Sequence, residues 1–288
     1  MYKCHACGKQ FQDGGRVSEE QLWKEYLFER RTYSDLARIH RCSISTIQRR
    51  IGNVSVEFRP HYPDESVVII DTTYFGRAFG VMIFQDSETG RILLRKYVRH
   101  ETNKAYLEGL DELRNHGTLI LGVVCDGHKG LMQSIGYCPV QMCQFHQIQI
   151  IRKYLTKNPH LIAARELLCI CINMKQLGSV EFQEEYNAWS KRWEAFLNER
   201  TVLKSGKTTF THRRLRKAKR SIDDHLPWLF TYEAYPELMI PNTTNKLEGT
   251  NSEMERLMRN HNGLSGQRRI TFLDGFLETW GSNPNKEG

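Results

Sequence analysis

The chain predicts an α/β fold: a mixed sheet carrying helices, an all-helical tract inserted late, and a small helical piece in front. Three observations predict it. Between residues 66 and 156, three β-forming runs come first, and strands then alternate with helices. Residues 160–231 place apolar side chains at helical spacing and contain no strand-like run. Residues 18–52 read as three short helices. A three-strand meander feeding α/β units gives a mixed sheet with helices on both faces.

The elements follow in order. Residues 1–15 form a short Cys/Gly piece, in which Cys4-x-x-Cys7-Gly-Lys has the spacing of half a zinc ribbon. Ser18-Glu-Glu-Gln21 has the form of a capping box opening a first helix, and Thr32-Tyr-Ser-Asp35 opens a second. "RCSISTIQRRI" gives a tight turn and a third helix from about Ser43. The spacing of Leu36, Ala37, Ile39, Ile44, Ile47 and Ile51 is that of a helix-turn-helix domain over 18–52. Its recognition helix offers Ser45, Thr46, Gln48, Arg49 and Arg50 to the DNA major groove. A plain three-helix packing module is the competing reading. Residues 53–65 carry two prolines and no helical period, and read as a linker.

Strands are predicted at Val67–Ile70, Phe79–Phe84 and Ile92–Val98, with a turn at "DSETG" (86–90) between the second and third. A helix over Lys104–His116 and a strand over Leu119–Cys125 follow. Next come a short helix near Lys129–Ile135, a strand near Val140–Phe145, and a helix from His146 to about Thr156. Residues 242–280 resume as one long helical pattern. Cys169 and Cys171 lie on opposite sides of a helix and read as core filler.

Composition narrows the function. The 288 residues hold 41 Lys and Arg against 33 Asp and Glu, a net charge of +8 and a pI near 9.0. A basic chain points to a polyanionic partner. No apolar run approaches the ~20 residues of a membrane helix, so no membrane partner is expected. The N-terminus has no apolar signal core. Eight cysteines without such a signal read as reduced thiols or metal ligands, which predicts a cytoplasmic address.

The chemistry is expected from carboxylates. Asp71 closes the first predicted strand and Asp126 the fourth, and strand ends in such sheets converge on a cleft. Two aspartates held together repel unless a cation sits between them. Magnesium or manganese suits oxygen ligands. Two such ions about 3.5–4 Å apart clamp the attacking and leaving oxygens of a phosphodiester. A third carboxylate is sought in "NTTNKLEGTNSEMERL". Glu253 and Glu255 face other ways on that helix, and Glu248 is preferred because a polar "PNTTN" precedes it. The bland reading of either aspartate alone is a cap on the next turn. Cys143-x-x-His146 has zinc-ligand spacing but supplies two ligands where zinc takes four, which favours support of the active site or contact with DNA.

One charge run stands out. Residues 204–220, "KSGKTTFTHRRLRKAKR", hold eight Lys or Arg and no acid, equal to the whole net excess. The first half reads as loop. The second reads as a helix charged on every side, and therefore exposed. Against a merely solvated face, that concentration favours phosphate contacts by Arg213, Arg214, Arg216 and Lys217.

Taken together, "DTTYFGR … CDGHKGL … QMCQFHQ … TTNKLEGTN" resembles the DDE transposases of bacterial insertion sequences. The similarity is to the Mutator-related group, in the variant with an N-terminal zinc ribbon, and covers nearly the whole chain. It implies a ribonuclease H-like catalytic domain in two parts, 66–156 and 242–280, interrupted by a helical insertion at 157–241. The spacings suit that, with 126 − 71 = 55 and 248 − 126 = 122. It implies that Asp71, Asp126 and Glu248 are the triad holding two magnesium or manganese ions. It places the family's Cys-x-x-His on Cys143 and His146, and the ribbon's second Cys pair ahead of Met1, so zinc on Cys4 and Cys7 is incomplete here. The implied partners are double-stranded DNA, both transposon ends and target, bound by a homo-oligomer at the bacterial nucleoid. The implied reaction is metal-dependent strand cleavage followed by attack of the freed 3′-hydroxyl on target DNA. Two alternatives stay open: a ribonuclease H-like nuclease or resolvase without strand transfer, and a catalytically inactive DNA-binding protein derived from a transposase.

Overall fold

The computed structural model describes residues 2–3, 6–8, 10–11, 17–29, 31–261, 264 and 266–281. It divides into two compact units, one of 1–58 with 252–280 and one centred on 59–251.

In the first unit, β1 (Tyr2–Lys3) pairs antiparallel with β2 (Gln10–Phe11). Cys7 is an exposed free thiol, while Cys4 lies outside the described residues. Three helices follow: α1 (Glu19–Phe28), α2 (Tyr33–Ile39) and α3 (Ile44–Gly52). Ser18, Thr32 and Ser43 cap them, each accepting a backbone N–H three residues on. Only Thr32 closes a full capping box, with the Asp35 side chain returning to its amide. Arg41, with φ 49°, turns the chain between α2 and α3.

Leu36, Ala37, Ile47 and Ile51 are buried as the spacing predicts, but Ile39 and Ile44 are 43% and 45% exposed. The stripe is narrower than the sequence suggests because other residues share this core. The helical pattern of 242–280 is two helices, α12 (Asn245–Asn260) and α13 (Gly266–Gly281), on either side of the breaker-rich sequence His-Asn-Gly-Leu-Ser-Gly. His261 and Phe272 pack on Tyr26, with ring centroids 4.3 and 5.7 Å away, and Phe272 also meets Trp23. The N-terminal helices therefore share their core with the C-terminal one.

The second unit is built on five strands: β3 (Glu65–Tyr74), β4 (Gly80–Asp86), β5 (Ile92–Val98), β6 (Leu119–Cys125) and β7 (Val140–Met142). Their order is β5-β4-β3-β6-β7. The pairs β3–β4 and β4–β5 are antiparallel, whereas β3–β6 and β6–β7 are parallel. Val67–Ile70 are buried at the centre of this mixed sheet. The first strand is longer than predicted: Thr72, Thr73 and Tyr74 continue the ladder with β4, so Asp71 sits within β3. The last strand is shorter, because Cys143 and Gln144 already open a helix.

Four further helices belong here: α4 (Asn103–Asn115), the short α5 (Leu131–Ser134), α6 (Gln144–Leu155) and α7 (Ile162–Ile172). After them come α8 (Met174–Arg192) and α9 (Glu194–Asn198). The inserted tract is not all-helical. β8 (Arg200–Val202) and β9 (Thr208–Phe210) form a hairpin around Lys-Ser-Gly-Lys. Its β-branched Thr and Val residues outweigh a helical period in so short a run. Next, α10 (Arg213–His225) is amphipathic and not charged all round: Leu215, Ala218 and Ile222 make a buried stripe, and the short α11 (Thr231–Ala234) follows. Cys171 is buried, but Cys169 is exposed. The residues of this tract join those of the sheet in one apolar core, which includes Phe84, Leu110, Leu167, Phe182 and Trp189.

Candidate active site

Register alone begins the site. Ile69 pairs with Val124, and Cys125 with Met142. Two steps beyond Ile69 bring Asp71 level with Asp126, and one step beyond Cys125 brings Asp126 level with Cys143. Extending that register puts these three residues in one row just past the end of the β3–β6 and β6–β7 ladders, where an α/β sheet opens its cleft. The β3–β6 ladder ends at Ile69, so Asp71 stands where β3 has lost its parallel neighbour.

The third carboxylate arrives from α12, and backbone contacts explain how. The segment before this helix docks on the start of α6. Gln144 donates its backbone N–H to the Asn242 carbonyl at 2.9 Å, and Asn242 Nδ2 donates to Gln144 Oε1 at 2.9 Å. Thr244 donates its N–H to Cys143 Sγ at 3.3 Å and its hydroxyl to Glu248 Oε1 at 2.9 Å. Glu248 sits in the first turn of α12, 3.9 Å from His146 Nδ1. One turn on, Asn251 Nδ2 donates to Asp71 Oδ2 at 2.8 Å. The helical i, i+3 spacing thus points Glu248 and Asn251 at one site. By contrast, Glu253 pairs with Arg256 and Glu255 with Arg259 along the helix.

Other groups shape the field. Asp71 Oδ1 accepts the Thr72 amide, and Asp126 Oδ1 accepts the His128 amide at 3.1 Å. Burial pushes the Asp71 carboxyl up to about 7; His146 opposes the rise, and the charges of Asp126 and Glu101 add to it. Burial also raises Glu101, a fourth carboxylate, which accepts the Tyr106 hydroxyl at 2.6 Å. Burial alone would lower His146, but Cys143, Asp71 and Asp126 outweigh it and hold the imidazole at about 9. The Cys143 thiol, which burial would raise, is pulled below its ordinary value by His146 and Thr244.

The insertion also reaches the site. His225, at the end of α10, shares a 2.6 Å hydrogen bond between its Nδ1 and Gln147 Oε1. A Cβ on Gly127 would fall 2.8 Å from its ring and 2.7 Å from Met142 Cε, so a larger residue beside Asp126 would have to displace these side chains. Of these added residues, Asn251 is findable in sequence as the turn after Glu248. Glu101, Thr244 and His225 carry no sequence signal, because distant packing alone brings them in.

The predicted DNA contacts divide. On α3, Ser45 and Arg49 are exposed, and Thr46 and Gln48 are half-exposed. Arg50 turns inward to the Val17 carbonyl. On α10, Arg213 and Lys217 are exposed. Arg214 donates to the Lys153 carbonyl at 3.0 Å. Arg216 donates to the Leu197 carbonyl and Asn198 Oδ1 and lies 3.6 Å over the Phe210 ring, so its guanidinium is spent on the fold.

A mixed sheet with two aspartates in register where its parallel pairing ends, and a helix that brings Glu248 to the neighbouring His146, belongs to the class of α/β proteins that place charge at a strand-end cleft. A family model described as "Transposase, Mutator family" matches residues 86–268, well over half the sequence. The chain belongs to that family of transposases. Among curated proteins none matches by sequence. By shape the chain aligns with a Drosophila P element transposase strand transfer complex, at 10% identity and TM-score 0.44, covering 96% of this chain and 94% of that one. It also aligns with the HTLV-2 integrase catalytic core domain in complex with magnesium, at 15% identity and TM-score 0.23, covering 55% of this chain and 98% of that one. No helix among the described residues is long and apolar enough to cross a membrane.

Proposed function

We propose that the protein is a DDE transposase that binds the ends of an insertion sequence, cleaves a DNA strand and joins the freed 3′-hydroxyl to target DNA. The observation that carries this reading is that Asp71 and Asp126, from two adjacent strands, both act on His146, and that a distant helix brings Glu248 to 3.9 Å from the same imidazole. We read the sheet as ribonuclease H-like, with the 157–241 tract as its insertion and the N-terminal three helices as a helix-turn-helix.

Divalent metal fits the donor set. The three carboxylates offer hard oxygen ligands, and mutual repulsion with burial leaves Asp71 reluctant to ionise without a cation. Asp71, Asp126 and Glu248 would hold magnesium or manganese, which when bound stabilises the attacking and leaving oxygens of an in-line displacement. The chain's own residues do the rest. Asn251 and the Thr72 amide fix Asp71, the His128 amide fixes Asp126, and Thr244 fixes Glu248. His146, protonated at neutral pH, sets a positive charge beside the carboxylates, suited to a phosphate oxygen. Arg49 on α3, and Arg213 with Lys217 on α10, are left to meet DNA.

The test is a joining assay with a pre-cut 3′ end and a target plasmid in magnesium. A transposase joins the end. A nuclease or resolvase cleaves uncut ends but leaves the pre-cut end unjoined, and an inactive DNA-binding relative binds the ends and does neither.

A further inference from the structure

We propose that Cys143, His146 and Glu248 form a second, softer metal site, selective for zinc-type ions, which takes Glu248 away from the carboxylate triad when it fills. Sequence alone shows only the Cys-x-x-His pair, two ligands of the four that zinc takes. The structure adds a third. Cys143 Sγ, one His146 nitrogen and one Glu248 carboxylate oxygen all lie within 4.8 Å of one another. Ligands about 2.0–2.3 Å from one tetrahedral ion stand roughly 3.5 Å apart, so the observed cluster needs only a small contraction.

A second observation points to a ligand. His146 Nδ1 is buried and has no hydrogen-bond partner among the described residues, although it faces Glu248 at 3.9 Å. A buried polar atom left unpaired costs free energy, and a metal bond satisfies it. Cys143 is prepared in the same way. Its sulfur meets the Thr244 hydroxyl and the Thr244 amide, both at 3.3 Å. The hydroxyl already donates to Glu248, so the thiol proton is the one pointed at the Thr244 oxygen. Metal binding would release two protons to solvent, that one and the extra proton of the His146 imidazolium, and leave the sulfur the backbone amides of Thr244 and His146 as donors.

The donor chemistry separates the two sites. A thiolate, an imidazole and one carboxylate select zinc, cobalt or a similar ion over magnesium. Three protein ligands leave the fourth position open, the arrangement of an exchangeable ion and not of a closed structural one. Because Glu248 is shared, the two occupancies exclude each other, and zinc would inhibit magnesium-dependent chemistry. That inhibition rests on the proposed role of Glu248 in the triad; the soft site does not.

The test is a cobalt(II) titration of the full chain, with Cys4 and Cys7 replaced by Ser so that the N-terminal pair contributes no signal. One equivalent should give a thiolate-to-cobalt charge-transfer band with four-coordinate d–d absorption, and zinc should displace it. Cys143→Ser should lose the charge-transfer band. His146→Asn and Glu248→Gln should each weaken cobalt binding at least tenfold, with unchanged circular dichroism confirming that they fold. No charge-transfer band, a band that survives Cys143→Ser, or unchanged affinity in Glu248→Gln overturns the proposal. If Glu248→Gln weakens cobalt binding yet cleaves DNA normally, the soft site stands and the triad assignment fails.

Discussion

Asp71 holds its charge at a cost that pH should reveal. Its folded pKa, about 7, lies above the ordinary carboxylate value near 4. The native state therefore holds this proton more tightly than the unfolded chain. The stability it contributes is full below about pH 4 and is lost as pH rises through 7. In metal-free protein, Asp71→Asn should gain melting temperature relative to wild type at pH 8 and show no such gain at pH 4. Magnesium should raise the wild-type melting temperature more at pH 8 than at pH 5, since at low pH it must displace the proton. Thermal denaturation across pH reads both; equal shifts at the two pH values would mean Asp71 is not a ligand. The sequence exposed this residue only partly. Val67–Ile70 mark the strand, but Thr72-Thr73-Tyr74 prolong it, so the aspartate's place at an opening depends on where the neighbouring β6 stops.

At the scale of elements, the two basic helices separate residues that meet DNA from residues that hold the fold. Replacing Arg213 and Lys217 with Gln should lower the salt slope of DNA binding by about 0.9 for each phosphate no longer neutralised. Arg216→Gln should instead lower the melting temperature, because its guanidinium joins α10 to the end of α9 and to Phe210. An unchanged slope in the Arg213/Lys217 variant would leave α10 as a structural helix only. On α3, Arg49→Ala should cost roughly 1–3 kcal/mol of discrimination between end DNA and random DNA. Arg50→Ala should act through stability, by freeing the Val17 carbonyl. A uniform loss on both DNAs in Arg49→Ala would make Arg49 a phosphate-binding residue. The apolar stripe of α10 stands at i, i+3 and i+7, but the six Lys and Arg around it masked its period. The hairpin before it was not legible, since three-residue strands carry too little pattern to outweigh a helical neighbourhood.

Across the whole molecule, the largest gap between sequence and structure is the shared core of the N-terminal helices and α13. Nothing local in "TFLDG" (271–275) or "QLWKEY" announces that their aromatic residues meet, because the pairing spans more than two hundred residues. Gly275 makes the close approach possible: a Cβ there would lie 2.7 Å from the Trp23 ring. Gly275→Val should therefore lower the melting temperature of the unit that carries α3 and weaken end binding with it. Normal stability in that variant would show that the two helices do not need this approach. The alternation of strands and helices was legible, because burial at a sheet centre demands runs such as Val67–Ile70 and Val123–Cys125.

Everything proposed for the chemistry rests on the three carboxylates acting as one site. The decisive experiment is cleavage of DNA bearing the element's ends in magnesium, by wild type, Asp71→Asn, Asp126→Asn and Glu248→Gln, with binding to the same DNA followed in parallel. Metal-held charge stabilisation of several kcal/mol corresponds to a loss on the order of a thousandfold. Each variant should lose cleavage by that order while binding the ends as tightly as wild type. Cleavage at the wild-type rate by any one of them, Glu248→Gln above all, would show that the three do not work as a unit.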